Sequence, residues 1–266
     1  MSLLAPPPTL ASNGLRTAPE LEVPESYLLA TSVYEPDTAL TWPVHSHAEH
    51  ELLWTDRGVV KMRVGARQWT VTPGIGLWIP AGVDHEGETR DGTSVRATYF
   101  SPSAWTRSWA EPAAVRVNPA VRSLLIHLKR ARMTIEQRTR AQQVCIDMLD
   151  RTDIARLDIP LPQDPRLAPL VDALLADPAN DRSLEQWAVV LNMTARTLTR
   201  VFVAEVAMSF VKWRTLVRMD QAVALLADGE SVKVVARVVG YRSTSAFVAV
   251  FHKTLGRTPG DLAGRL

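Results

Sequence analysis

The chain carries one cysteine, Cys145, in 266 residues, which rules out an intrachain disulfide and suits a reducing compartment. It also lacks any apolar run approaching the ~20 residues that a membrane helix requires. Together these absences lead to the expectation of a cytoplasmic protein with no membrane partner. Met1 to Pro24 has neither a basic stretch nor an apolar core of signal-peptide type. Its prolines (Pro6, Pro7, Pro8, Pro19, Pro24) read as an extended or disordered lead-in over 1–26. A surplus of one charge is missing as well, since 30 basic residues stand against 28 acidic ones. The distribution is less even. Residues 166–266 hold 13 Lys+Arg against 9 Asp+Glu, so the C-terminal part is mildly basic and compatible with a nucleic-acid partner.

What is present is 46% hydrophobic and 22% charged, enough for packed cores in two ordinary domains. From about Tyr27 to Phe100 short alternating runs such as Val59–Val64 and Gln68–Val71 are separated by Gly58, Gly65 and Pro73-Gly74. Short strands with Gly/Pro punctuation predict an antiparallel sandwich or barrel. Between Asn118 and Asp150 the period turns helical, with Val121, Leu124, Leu125, Leu128, Ile135, Val144 and Met148 at spacings of three and four. The run from Ile159 to Pro165 contains three prolines and reads as the end of a linker over 153–165. The division expected is therefore 27–152, then 166–266, and the fold class is α+β with two domains.

The last hundred residues repeat themselves. Ser183 with Gln186 is a capping-box signal, and Leu184, Trp187, Ala188 and Leu191 form one stripe. Asn192 suits a left-handed turn, Thr194 caps a second helix, and Leu198, Val201 and Phe202 line it. Trp187, Leu191 and Asn192 recur 48 positions later as Val235, Val239 and Gly240. Leu198 and Phe202 recur 49 later as Phe247 and Phe251, so the second turn has one extra residue. Phe210, Trp213, Val217, Met219, Ala222, Leu225 and Leu226 make a longer helix between the two units. This is an all-α, tandem helix-turn-helix pattern, which fits two successive major grooves ~34 Å apart.

With these motifs, and above all Val239-Gly240-Tyr241 through Phe247, Phe251 and Leu255-Gly256-Arg257-Thr258-Pro259, residues 167–264 resemble the DNA-binding domain of AraC/XylS transcription regulators. The resemblance implies seven helices, a promoter or operator in double-stranded DNA, a homodimer and contact with RNA polymerase. It also implies that the helical segment 118–150 serves dimerisation. Exposed positions of the first recognition helix are expected at Ala195, Arg196, Thr197, Thr199 and Arg200, with Arg196 and Arg200 on one face. Those of the second are Arg242, Thr244, Ser245 and Val248. The family often has a basic residue where Ala249 sits, so phosphate contacts from Arg242 and Lys253 and apolar contact with a thymine methyl are expected there instead.

In the N-terminal part His45, His47 and Glu51 are followed by Gly58, then Gly74, Pro80, Gly82 and His85. Three imidazoles and a carboxylate suit a divalent transition metal such as Zn, Fe, Ni or Mn. The spacing resembles both motifs of the cupin superfamily, with Thr89 where Asn is usual. The expectation is a cupin-like barrel that senses a metal ion or small-molecule effector. Trp42, Trp54, Trp69 and Trp78 serve either as core or as walls of an effector pocket. The alternative is a metal-dependent cupin enzyme fused to a DNA-binding domain, but no separate acid, base or nucleophile accompanies the histidines.

Overall fold

The computed structural model describes residues 28–35, 38–130, 132–152 and 158–263. The lead-in expected over 1–26 and the first residues of the linker, 153–157, lie outside them. Two compact units result: Met1–Gly65 with Val71–Asp153, and Ala66–Thr70 with Ile154–Leu266.

In the first unit β1 (Leu29–Tyr34), β8 (Ser94–Phe100), β3 (His50–Arg57), β6 (Ile75–Ile79), β9 (Ala113–Arg116) and β10 (Asp150–Arg151) form one sheet in that order. A second sheet has β4 (Val60–Val64), β7 (His85–Thr89) and β2 (Thr41–His45) side by side. These strands pair antiparallel with their neighbours. β8 is buried along its whole length and β3 along most of it. Alternate residues leave opposite faces of a strand. One face of β3 and β8 contributes Leu52, Trp54 and Phe100 to a core that includes Trp78, Trp105 and two helices, α1 (Pro119–Arg130) and α2 (Ile135–Asp147). The other parity holds Glu51 directly opposite Tyr99. Gly58 makes the hairpin between β3 and β4 at φ 79°, and a Cβ there would lie 2.5 Å from Thr93 Oγ1, so both backbone and space demand glycine.

The helical segment differs from the sequence reading in one respect. It breaks at Thr134, whose side chain caps α2 and closes a capping box with Gln137. The break resets the helical phase. Val121, Leu125 and Leu128 are buried, whereas Ile135 is 65% exposed, and Cys145, Ile146 and Leu149 bury the second helix instead. Of the four tryptophans of the sequence reading, Trp54, Trp69 and Trp78 are buried and Trp42 is half-buried. Trp78 stacks on Trp105 at 4.1 Å and meets Trp109 edge-on at 5.4 Å, so these rings pack between sheet and helices.

In the second unit β5 (Arg67–Val71) pairs with β11 (Asp158–Pro160). Part of the expected linker is therefore a strand, tied by an Arg67–Asp158 ion pair. Seven α-helices follow among the described residues: α3 (Ala168–Ala176), α4 (Leu184–Val190), α5 (Ala195–Val206), α6 (Phe210–Ala227), α7 (Val232–Val238), α8 (Thr244–Leu255) and α9 (Pro259–Ala263). The amino-terminal half of α6 places Phe210, Trp213 and Val217 in one core with Trp187, Leu198 and Phe202. Its other half places Met219, Ala222, Val223 and Leu226 in a second core with Val235, Phe247 and Phe251. The β5–β11 ribbon lies against the same helix: Trp213 Nε1 donates to the Pro160 carbonyl at 2.7 Å, and the Thr70 hydroxyl donates to buried Asp220.

Candidate functional site

The sequence repeat is a structural repeat down to individual hydrogen bonds. Ser183 caps α4 and Ser231 caps α7; Thr194 caps α5 and Ser243 caps α8. The amide of Met193 donates to Ala188 O at 2.8 Å, and 48 residues on Tyr241 donates to Ala236 O at 2.8 Å. At the turn Asn192 has φ 51° and Gly240 has φ 84°. The second turn is tighter in space, because a Cβ on Gly240 would sit 3.0 Å from Ala179 Cα.

The residues expected to face DNA divide into two sets. Arg196, Thr199 and Arg200 on α5, and Arg242, Thr244, Ser245 and Lys253 at the second unit, are exposed. None of Arg196, Arg200, Arg242 or Lys253 forms an ion pair among the described residues. Such uncompensated cations on, or just before, the second helix of a helix-turn-helix suit a polyanion. Ala195, Thr197 and Val248 are half-buried: Ala195 and Val248 pack on the two cores, and the Thr197 amide donates to the Thr194 cap. Their first duty is to hold the helices.

In the first unit the structure brings together His47, Glu51 and His85, with one ligand atom from each within 4.8 Å of the others. His85 opens β7, Glu51 lies on β3, and His47 sits between β2 and β3, two residues past the end of β2. The Gly82 amide fixes that connection by donating to His47 O at 2.8 Å. His45, the fourth expected ligand, ends β2 and stands outside this trio, its ring 4.2 Å from that of His85 and 6.2 Å from that of His47.

The orientation of the rings carries more information than their proximity. Each histidine donates its Nδ1–H to a backbone carbonyl two residues away: His45 to Pro43 at 2.8 Å, His47 to Glu49 at 2.9 Å and His85 to Val83 at 2.9 Å. Since a carbonyl only accepts, this fixes the tautomer and leaves Nε2 as the working nitrogen. The His47 and His85 Nε2 atoms lie 3.2 and 3.3 Å from Glu51 Oε2. Burial pushes the Glu51 carboxyl up, yet the hydrogen bonds and charge from the two histidines outweigh it and hold it at about 2. Burial lowers His47, but the bond to Glu51 prevails and raises it; burial dominates at His45 and lowers it.

One residue that no motif flagged joins the group. Tyr99 meets His47 edge-on at 5.1 Å and shares a side-chain hydrogen bond with Tyr34. Only the strand register, Glu51 opposite Tyr99, could have found it. His50, which falls off the cupin spacing, accepts the Ala81 amide at 2.9 Å and stacks on Trp78. Thr89, in the place of the usual Asn, accepts the Leu40 amide at 2.9 Å.

A helical unit with two such turns, following a double-sheet unit along the chain, defines a DNA-binding transcription regulator with a ligand-binding domain. The comparisons agree. Residues 31–186 match the AraC-like ligand binding domain, and residues 187–265 match a helix-turn-helix domain. The chain belongs to the AraC family of transcription regulators. It is 31% identical over 243 residues to the HTH-type transcriptional regulator NimR of Escherichia coli (strain K12), covering 90% of this chain and 88% of that protein. It is 29% identical over 214 residues to the regulator RipA of Corynebacterium glutamicum, covering 78% of this chain and 60% of that one. Among solved structures, the C-terminal domain of AraT from Geobacillus stearothermophilus is 26% identical at a TM-score of 0.37, covering 39% of this chain and 87% of that one. ToxT from Vibrio cholerae is 12% identical at a TM-score of 0.38, covering 90% of this chain and 98% of that one. The family and these relatives are regulators, so the enzyme alternative falls away. No helix among the described residues is long and apolar enough to cross a membrane.

Proposed function

We propose that this regulator holds a divalent transition metal between His47, Glu51 and His85 and couples that centre, or a small molecule bound at it, to operator affinity. The observation that carries the reading is the pair of Nδ1-anchored histidines, His47 and His85, whose Nε2 atoms face one buried carboxylate. At metal–ligand distances of ~2.0–2.1 Å a tetrahedral site has edges of about 3.3 Å. The Nε2–Oε2 separations of 3.2 and 3.3 Å fit that edge. With three protein ligands the fourth position is open to His45, water or an effector atom. A bound metal would supply a fixed positive charge and a Lewis-acidic ligand position there; nothing in the donor set chooses among Zn, Fe, Ni and Mn.

On the DNA side, Arg196 and Arg200 are the side chains for base edges or phosphates in one groove. Arg242, Thr244 and Lys253 serve phosphates in the next, with Ser245 beside them. The two units are joined by α6, whose 18 residues span about 27 Å and hold both cores. The protein acts in the cytoplasm as a homodimer, with RNA polymerase as a partner at the promoter. The effector works by binding one arrangement of the protein better than another.

The test has two arms. Selection of duplex sequences by the purified chain should yield an operator, and operator affinity should change when metal is removed by chelator and restored. Metal analysis of protein prepared without chelator should find near one equivalent per chain. Less than about a tenth of an equivalent, with unchanged operator affinity, overturns the metal reading and leaves the DNA reading standing.

A further inference from the structure

On the opposite face of the β1–β8–β3 sheet from Glu51 lies a cavity of about 110 Å³, roofed by α1. Its wall is formed by Thr31, Val33, Trp54 and Arg96 from the sheet and by Leu125 and Ile126 from the helix. Glu35 and Lys129 also line it, one charge of each sign beside Arg96. The surroundings are otherwise a hydrophobic core, so the polar groups here need an account.

Counting protons supplies one. Trp54 Nε1 donates to Thr98 Oγ1 at 3.0 Å, and Thr98 shares one hydrogen bond of 3.0 Å with Thr31. Two hydroxyl protons serve a single bond, so one has no acceptor among the described residues. Thr98 is fully buried and Thr31 lines the cavity. The favourable arrangement has Thr98 donate to Thr31, with the Thr31 proton aimed into the cavity. Arg96 adds to this surplus. Its side chain is 10% exposed, stacked over Trp54 at 5.4 Å, and its Nε donates to Asp56. Asp56 has its other oxygen engaged by Arg122. The terminal nitrogens of Arg96 make no hydrogen bond among the described residues; its charge is paired with Asp56 through Nε and, more distantly, with 65%-exposed Glu35 at 3.9 Å. The cavity thus presents a held guanidinium and a hydroxyl donor on one side and apolar side chains on the other.

We infer that this cavity is a second ligand site, separate from the histidine centre, and that it takes a small aliphatic monocarboxylate. The carboxylate meets the terminal nitrogens of Arg96 and the Thr31 hydroxyl; the short chain lies against Leu125, Ile126 and Val33. By comparison with the ~150 Å³ cavity that accepts benzene, the ligand has about three to five carbons. Because α1 supplies half of the apolar wall, occupancy strengthens the seat of α1 on the sheet. The inference does not depend on a metal at His47, Glu51 and His85.

The experiment is calorimetric titration of the full chain with sodium butyrate, with butyramide as the neutral isostere. Butyrate should give a saturable isotherm of one site per chain that survives both chelator and His47→Ala, and butyramide should not compete. Arg96→Lys should weaken binding at least about tenfold and Thr31→Val about fivefold. If Arg96→Lys loses its fold by circular dichroism, Thr31→Val, which keeps shape and removes only the hydroxyl, carries the test. Equal affinity for butyrate and butyramide, undiminished binding by Thr31→Val, loss of binding in His47→Ala, or no saturable binding overturns the inference.

Discussion

The two turns of the repeated motif use different residues for one backbone conformation, and this sets up a sharp comparison. Gly240→Ala places a methyl group at φ 84°, a region that costs an L-residue roughly 1–2 kcal/mol. The new Cβ would also lie 3.0 Å from Ala179 Cα and 3.1 Å from an Arg218 nitrogen. The arginine tip can swing aside, but the backbone atom cannot without moving the loop after α3, and overpacking of this kind costs about 1–3 kcal/mol. The sum is about 2–5 kcal/mol, spent on the second core of Val235, Val239, Phe247 and Phe251. For a unit of about a hundred residues each kcal/mol moves the midpoint by roughly 4–8 °C, so a drop of at least about 8 °C is expected. Asn192→Gly at the equivalent turn relieves the left-handed strain instead and should stay within about 1 kcal/mol of wild type. Thermal unfolding followed by helical circular dichroism reads both, and operator binding reads the consequence. A Gly240→Ala protein with wild-type midpoint and operator affinity would refute the close-approach argument.

Other expectations concern the two surfaces. Arg200→Ala should weaken binding to the selected operator by ~1–3 kcal/mol and leave bulk DNA binding less affected, as measured by fluorescence anisotropy with competitor. Glu51→Gln removes the charge that both imidazoles face and should lower bound metal per chain at least about tenfold by elemental analysis. In metal-free protein the raised His47 value means its stabilisation is present below about pH 6.5 and fades as pH rises through the folded value. Depressed Glu51 acts in the other direction, stabilising above its ordinary range and failing as pH falls towards about 2. Zinc competes with protons at the same nitrogens, so the gain in Tm on adding zinc should grow between about pH 6 and pH 8. A gain independent of pH would mean that zinc binds elsewhere.

Much of this was legible along the chain because the signals are local. Ser183 with Gln186, and Thr194 before an apolar stripe, announce helix starts through side chains that reach only three residues ahead. The 48-residue repeat exposes the paired turns for the same reason: each is closed by hydrogen bonds within five residues. The spacing of His45, His47, Glu51 and His85 likewise singled out a donor set, of which the structure gathers the last three.

Other features depended on contacts between distant segments. Thr134 breaks the helical segment and resets which residues face inward, so a single phase drawn from Val121 misplaced Ile135 and Val144 on the buried side. The strand Asp158–Pro160 inside a proline-rich stretch exists because β5 offers it a partner ladder. Tyr99 opposite Glu51, and Arg96 opposite Trp54 on the other face, follow from the register of β3 with β8. That register is a two-residue alternation between strands more than forty positions apart, and a shift of one would exchange the faces. The chain alone determined the family, the helices and the donor types; packing decided which side of the sheet each donor would serve.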